Sequence, residues 1–291
     1  MLSIIVCSKE ESLFEKLKIN IINTIGYNFV HEILHIKNQF IKMPISKVYN
    51  EMAQIAKYSY LLFIHEDLLF NNNNWGYALI NVLEDQNIGV VGLAGTQYMS
   101  NYMGTWPNLS KFTRENIWNY THHYYQNPNN VSNDEVVVLD GVFLACKKNV
   151  WEKVHFSEYL TGFHCYDMDF CIKIKQYLQL KCVVTYEIEV NHFSSGKLGF
   201  DWLQQQFLFF ENLSKFLPIA IETIHVSQQE SEIIKRQKLD EFFKIFCFQY
   251  NGEKRVWILS YFLINLKYLW NMVNCKLLLR YVFFGTVKNN F

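Results

Sequence analysis

Short apolar runs alternate with helix-like patterns over the first third of the chain, and this alternation constrains the fold most strongly. The runs predict strands over residues 2–8, 29–36, 60–64 and 88–95. Apolar residues at helical spacing predict helices over 11–26, 46–57 and 75–83. An order of strand, helix, strand repeated in this way implies a parallel sheet with helices on both faces.

The second half of the chain is less regular. Residues 96–133 are polar and aromatic with weak periodicity, which is typical of either a long active-site loop or an insertion. Strand character returns around Asp140 and Gly141, a helix follows from about Gly162, and one strand is predicted over 181–192, ending at His192. A further amphipathic helix is predicted from about residue 230.

Polar side chains follow three of the predicted strands. In open parallel sheets, ligands bind beyond the carboxyl ends of the strands. The residues at that predicted edge are Ser8, Asn38, His65, Glu66 and Asp67. The first strand is not followed by a glycine-rich dinucleotide or P-loop pattern, which disfavours those two kinds of site.

Composition excludes several classes of protein. The 27 basic and 27 acidic residues balance, so the charge of the chain does not point to nucleic acid. Seven scattered cysteines without a C-x-x-C pair indicate reduced thiols in a cytosolic protein, not a disulfide framework or a zinc site. The first residues are typical of a strand and not of a secretion signal, and no apolar run is long enough to predict a transmembrane helix.

Acidic residues near the predicted sheet edge have two interpretations each. Carboxylates such as Asp67 could hold a divalent cation that neutralises a diphosphate, or they could be solvated charges in a capped turn. Asp167 and Asp169 fall in a helix's first turn, where acidic residues are also common as simple helix caps. His192 could be a metal ligand or only a polar strand end.

Taken in order, several segments resemble family 2 glycosyltransferases, more closely the glycosyltransferase-like branch found in bacterial surface-glycan clusters. The matching text is "LSIIVCSKEE", "YLLFIHEDLLF", "NWG", "IGVVGLAG", "VVVLDGVFLACKKNVWEKVHF", "GFHCYDMDFCIK" and "VNHFSSG", which spans roughly residues 2–196. The resemblance implies an α/β fold of GT-A type, a mostly parallel Rossmann-like sheet flanked by helices. It divides the chain into a glycosyltransferase domain, 1–217, and a helical C-terminal extension, 218–291.

The same resemblance implies roles for individual residues. The implied donor-nucleotide contacts are Ser8, Lys9, Glu10, Asn38, His65 and Glu66. Asp67 and His192 would hold Mn²⁺ or Mg²⁺, and Asp167 would be the catalytic base. The implied contacts to the donor and acceptor sugars are Asp140, Gly141 and Asp169. His65 and Tyr166 depart from the family, which has acidic residues at both positions.

The implied activity is transfer of a sugar, with inversion, from a nucleotide-diphosphate sugar to a glycan or lipid-linked acceptor. Because of the two departures, a non-catalytic nucleotide-sugar or glycan-binding module is an alternative, and a metal-dependent phosphoryl hydrolase is another. The expected location is the cytoplasm. The basic and aromatic segment 251–291 could lie on the inner face of the cell membrane, or it could form a packed helical subdomain or a contact between copies in a homo-oligomer.

Overall fold

A computed structural model describes residues 1–193 and 198–249. The strands are β1 (Leu2–Ser8), β2 (His31–Lys37), β3 (Tyr60–His65), β4 (Leu68–Phe70), β5 (Ile88–Gly92), β6 (Ala94–Thr96), β7 (Tyr98–Met99), β8 (Thr113–Asn119), β9 (His122–Gln126), β10 (Asn133–Val136), β11 (Val138–Leu139), β12 (Phe143–Lys147), β13 (Lys181–Thr185), β14 (Val190–His192) and β15 (Ile219–Ala220). The α-helices are α1 (Glu11–Thr24), α2 (Asn38–Ile41), α3 (Ile45–Ile55), α4 (Trp75–Glu84), α5 (Lys148–Val154), α6 (Tyr166–Lys173), α7 (Phe200–Leu213) and α8 (Gln228–Gln249).

The main sheet has seven strands in the order β10-β13-β5-β12-β3-β1-β2. Five strands run in one direction, and β12 and β10 run against them. Helices cover both faces of this sheet, so its central strands are apolar on both sides, as in the buried run of β1. The predicted α/β fold with a mostly parallel sheet flanked by helices is confirmed.

One face of the main sheet is closed by α1 and α4. Trp75 at the start of α4 is fully buried, stacks on Phe70 at 3.8 Å between ring centroids, and donates its indole N–H to Thr24. Removing a side chain of this size from a packed core costs about 3–5 kcal/mol. This packing holds the end of α1 against β4, the strand that directly follows Asp67.

A second sheet, in the order β11-β6-β8-β14-β4 with β9 paired to β8, contains two strands of the irregular region 96–133, β8 and β9. The single strand predicted over 181–192 is wrong in one respect. It is two strands, because β13 pairs with β5 in the main sheet whereas β14 pairs with β4 and β8 in the second. The chain changes sheets between Thr185 and Val190, and this change brings His192 opposite Leu68, beside Asp67.

The described residues form two compact units, one of residues 1–101 and 105–226, the other of residues 102–104 and 227–249. The predicted boundary between residues 217 and 218 stays a prediction. Helix α8 belongs to the second unit. Segment 251–291, with its predicted membrane or oligomer contact, lies outside the described residues. Among the described helices, none combines the length and the apolar character needed to cross a bilayer.

Candidate active site

Five segments of the first unit meet at one edge of the main sheet. The carboxyl ends of β1 and β3 lie there because these strands are parallel. Residues preceding β12 lie at the same edge because β12 runs against β3, and the His65 N–H donates to the Val142 carbonyl at 3.3 Å. The first turn of α6 and the end of β14 complete the edge through their contacts with Gly141 and Asp67.

His65, Asp67 and His192 form a cluster with the composition of a metal site. One potential ligand atom from each lies within 4.8 Å of the others. The Oδ1 atom of Asp67 and the Nε2 atom of His192 are 3.5 Å apart, and both are buried without a hydrogen-bond partner among the described residues. Buried polar atoms in proteins almost always have partners, so two such atoms facing one another fit a cation. The donor set of two imidazoles and a carboxylate fits a divalent transition-metal ion.

The charges in this cluster favour the states that bind a cation. Burial acts to raise the pKa of Asp67, but the neighbouring His192 and His65 outweigh it, and the net shift is downward. Burial, together with the neighbouring His192, lowers the pKa of His65 in spite of the Asp67 charge. At neutral pH the cluster therefore presents an ionised carboxylate and an uncharged His65 imidazole, both with lone pairs available.

Asp167 lies in the first turn of α6 and its carboxylate faces the loop before β12. Its Oδ2 atom accepts the Gly141 N–H at 2.8 Å, and its Oδ1 atom accepts the Met168 N–H at 2.9 Å. Burial and the negative charge of Asp140 raise the pKa of Asp167 to about 7, although the two N–H groups oppose the rise. A carboxylate with a pKa near the ambient pH is suited to general-base work.

A tyrosine hydroxyl connects the histidine cluster to the loop that holds Asp167. The Tyr166 hydroxyl lies 2.9 Å from His65 Nε2 and donates to the Gly141 carbonyl at 3.0 Å. A Cβ atom at position 141 would collide with this hydroxyl, so the close approach requires glycine there. Asp140 lies in the same loop, where it accepts hydrogen bonds from the Val142 N–H and the Trp106 indole at 2.9 Å each.

Glu66 holds the segment predicted to contact the donor nucleotide. Its carboxylate accepts the backbone N–H groups of Lys9 and Glu10 at 2.8–3.2 Å. The Ser8 hydroxyl is hydrogen-bonded to His35, and the Lys9 ammonium lies 4.5 Å from the centre of the Phe163 ring. The structure thus places Ser8, Lys9, Glu10 and Glu66 together at the edge, with Glu66 as the group that fixes the loop.

Two other predicted site residues, Asn38 and Asp169, are buried and make hydrogen bonds or ion pairs within the protein. The Asn38 amide is buried, donates to the Met43 carbonyl at 2.7 Å and accepts the Met43 N–H at 2.8 Å, which closes the loop after β2. Asp169 is 0% exposed, accepts the Tyr159 hydroxyl and lies 3.5 Å from the Lys173 ammonium. The nucleotide contact of Asn38 and the sugar contact of Asp169 stay predictions, and neither enters the proposal below.

Three features of the site were missed or underused by sequence reasoning. The sequence predicts a nucleotide contact for His65, which stays a prediction, and the structure places the same side chain with the metal-type ligands. The signal was its spacing of two residues from Asp67, across the short turn between β3 and β4. Tyr166 was noted only as a departure, and Trp106 carried no signal, since its partner Asp140 is 34 residues away in the chain.

Comparison with known proteins gives a family match and several similar solved structures. Residues 3–198 match the model of the "Glycosyltransferase like family". The crystal structure of GalNAc-T7 with UDP, GalNAc and Mn²⁺ is similar with a TM-score of 0.51 and 10% sequence identity, over 86% of this chain and 58% of that one. The structure of S. aureus TarS 1–349 gives a TM-score of 0.47 and 12% identity, over 87% of this chain and 74% of that one.

No curated protein matches the sequence significantly. The chain spans 58% of the GalNAc-T7 chain. At 10% sequence identity, that comparison shows the fold alone. The family model covers more than half of the chain and includes every residue of the site described above. The protein is therefore a member of the glycosyltransferase-like family, with the GT-A fold.

Proposed function

We propose that this protein transfers a sugar from a nucleotide-diphosphate sugar to a hydroxyl of a glycan or lipid-linked acceptor, with inversion at the anomeric carbon. Family membership supports sugar transfer as the reaction class. The observation that carries the proposal is the meeting of two chemistries at one sheet edge. A cluster suited to a cation lies one hydrogen bond from the segment that holds Asp167, a carboxylate whose pKa is about 7.

His65, Asp67 and His192 would hold a divalent ion. Once bound, the ion would supply positive charge to offset the charge that develops on the leaving diphosphate. Imidazole nitrogens suit first-row transition metals, whereas Mg²⁺ prefers an all-oxygen shell that keeps several waters. The site is therefore proposed to prefer Mn²⁺ to Mg²⁺.

Asp167 is proposed as the general base of a single displacement. Its carboxylate takes the proton of the acceptor hydroxyl as that oxygen attacks the anomeric carbon. The bond between the anomeric carbon and the diphosphate oxygen breaks on the opposite face, and its electron pair leaves with the diphosphate. The Gly141 and Met168 N–H groups hold the carboxylate in place. Burial, together with the Asp140 charge, raises the pKa of Asp167 enough for it to accept a proton near neutral pH.

The hairpin of β8 and β9 supports a glycan as the acceptor. Residues 116–133 contain no charged side chain, in a chain of which 19% is charged. His192 pairs with Asn119 in β8, and Asn119 pairs with His122 in β9, so the three lie in a row on one sheet face. Two strand spacings, about 10 Å, separate His192 from His122. Beside His122, the half-exposed Tyr124 ring forms an uncharged aromatic surface suited to the apolar face of a sugar.

Two further parts of the proposal concern where the enzyme works. The described cysteines Cys7, Cys146, Cys165, Cys171 and Cys182 are all unpaired, which supports a reducing compartment such as the cytoplasm. Peripheral attachment to the inner face of the membrane through segment 251–291 stays a prediction. Co-sedimentation with anionic vesicles, with and without this segment, tests that attachment.

The test of the proposed function is incubation with a panel of nucleotide sugars and Mn²⁺, followed by identification of the first product. Release of a nucleoside diphosphate with sugar transfer or sugar hydrolysis supports the proposal. Binding of a donor without release would show a non-catalytic binding module. Nucleoside monophosphate or inorganic phosphate as the first product would show a phosphoryl hydrolase instead.

A further inference from the structure

His65 and Tyr166, the two positions at which the family resemblance implies acidic residues, contact each other. His65 Nε2 and the Tyr166 hydroxyl are 2.9 Å apart, and the same hydroxyl is 3.0 Å from the Gly141 carbonyl oxygen. A carbonyl oxygen can only accept, so the single hydroxyl proton of Tyr166 lies toward Gly141. Tyr166 must then accept its other hydrogen bond, and the proton between it and His65 belongs to Nε2 of the imidazole.

We propose that Tyr166 is a positioning residue that fixes His65 in the tautomer with its proton on Nε2, which leaves Nδ1 as the ligand atom for a divalent ion. This inference rests on the metal site in the proposed function. Nδ1 makes no hydrogen bond among the described residues. Histidines that bind metals usually donate their other N–H to an oxygen acceptor, which sets both the tautomer and the ring orientation.

The tyrosine is itself rigidly held. It is 2% exposed, and its ring packs edge-on against Tyr49 at 5.8 Å and close to Phe156 at 6.1 Å. The absence of a side chain at Gly141 provides the space that the hydroxyl occupies. Because the ring packs against Tyr49 and Phe156 and the hydroxyl fills the space at Gly141, the hydroxyl is held in one position beside His65. A metal ligand can be oriented only by a partner that is itself held in place.

The same hydroxyl ties the two halves of the active site together. Gly141 receives the Tyr166 hydrogen bond through its carbonyl and donates its own N–H to Asp167. His65, Tyr166, Gly141 and Asp167 therefore form one continuous chain of hydrogen bonds from the cation cluster to the base. His65 and Tyr166 are therefore neighbours in this chain and not two independent changes.

A nitrogen-detected NMR spectrum of the metal-free protein reads the tautomer directly. We expect the His65 ring of the wild type to carry its proton on Nε2, and Tyr166→Phe to give a mixture of tautomers or the Nδ1–H form. A wild-type His65 with its proton on Nδ1 would overturn the inference. This measurement needs no sugar donor and no activity.

Titration calorimetry with Mn²⁺ provides the second readout. Tyr166→Phe should bind Mn²⁺ about 10–100-fold more weakly, the usual effect of removing a partner behind a metal-binding histidine. Tyr159→Phe is the matched control, because it removes a hydroxyl that donates to Asp169 in the same helix and is hydrogen-bonded to neither His65 nor Tyr166, and it should leave the affinity unchanged. In a His65→Ala background, Tyr166→Phe should have no further effect on Mn²⁺ affinity.

The outcomes separate this inference from the proposed function. Wild-type Mn²⁺ affinity in Tyr166→Phe, or an equal loss with and without His65, would overturn the positioning role alone. A folded wild type that binds no Mn²⁺ would overturn both the positioning role and the metal site. Tight, Tyr166-dependent Mn²⁺ binding in a protein that transfers no sugar would support this inference and contradict the proposed activity.

Discussion

Replacing Asp167 with asparagine should change how the stability of the protein depends on pH. In the unfolded chain this carboxyl loses its proton near its ordinary pKa of 3.8, whereas in the folded protein it does so at about 7. Between these values the folded state holds a proton that the unfolded state has released. The free energy of unfolding therefore falls as the pH rises through this window, and it is level above about pH 7.

The size of the effect follows from the shift. The difference between about 7 and 3.8 is about 3 pH units, and each unit corresponds to about 1.36 kcal/mol, so the full window corresponds to about 4 kcal/mol. Asp167 keeps part of its surface in contact with water, which makes this value an upper bound. Between pH 5 and pH 8 the wild type should lose roughly 2–3 kcal/mol from this group alone. Asp167→Asn cannot titrate and should lose none of it.

Urea unfolding of wild type and variant at pH 5 and pH 8, in the presence of a chelator, measures the effect. Asparagine keeps only one of the two acceptor oxygens, which costs about 1–3 kcal/mol at both pH values and cancels in the difference. The free energy of unfolding of the variant, relative to that of the wild type, should therefore be roughly 2–3 kcal/mol higher at pH 8 than at pH 5. Asp85→Asn, at an exposed turn where Oδ1 accepts the Asn87 N–H, is the control and should show no such gain. An Asp167→Asn difference that is equal at both pH values would refute the raised pKa.

The remaining predictions concern activity. The rate of transfer should rise as the pH passes through the pKa of Asp167. Asp140→Asn should move this rise to lower pH, because the substitution removes a negative charge that raises the pKa of Asp167. A pH–rate profile of the wild type and of the variant checks both expectations. Mn²⁺ should support more transfer than Mg²⁺ at equal concentration, and the reverse order in a metal-replacement assay would contradict the imidazole-rich site. Tyr124→Ala should raise the KM for the acceptor without changing that for the donor. The matched control is Tyr125→Ala, whose ring is equally exposed but lies on the other hairpin face, and equal effects of both would remove the acceptor surface.

The main sheet could be predicted because its signals are local. Continuous apolar runs such as residues 60–64 mark strands that are buried on both faces, and the helices between them have regular spacing. The position of the site could also be predicted, because ligands bind beyond the carboxyl ends of strands in a parallel sheet. The family resemblance added the order of the motifs and pointed to Asp67, Asp167 and His192, whose contacts the structure then describes.

The contacts within the site could not be predicted because they depend on pairing between distant segments. His192 reaches Asp67 only because the chain changes sheets after Thr185, and no residue in "YEIE" marks that change. The hydrogen bond from Tyr166 to His65 spans 101 residues. Asp167 and Asp169 both fall in the first turn of one helix, so the sequence predicts that both face the site. Two positions along a helix point in different directions, however, and Asp169 faces Tyr159 and Lys173.

The central claim is that the cation cluster and the base have separate tasks, and comparison of Asp67→Ala with Asp167→Asn tests it most directly. Mn²⁺-dependent donor affinity and the rate of transfer are measured for both variants at neutral pH. Asp67→Ala should weaken donor binding and lower transfer together. Asp167→Asn should bind Mn²⁺ and donor as the wild type does, while transfer falls by on the order of 10²–10⁴, the contribution of a positioned general base. Near wild-type transfer by Asp167→Asn with the true acceptor would contradict the account.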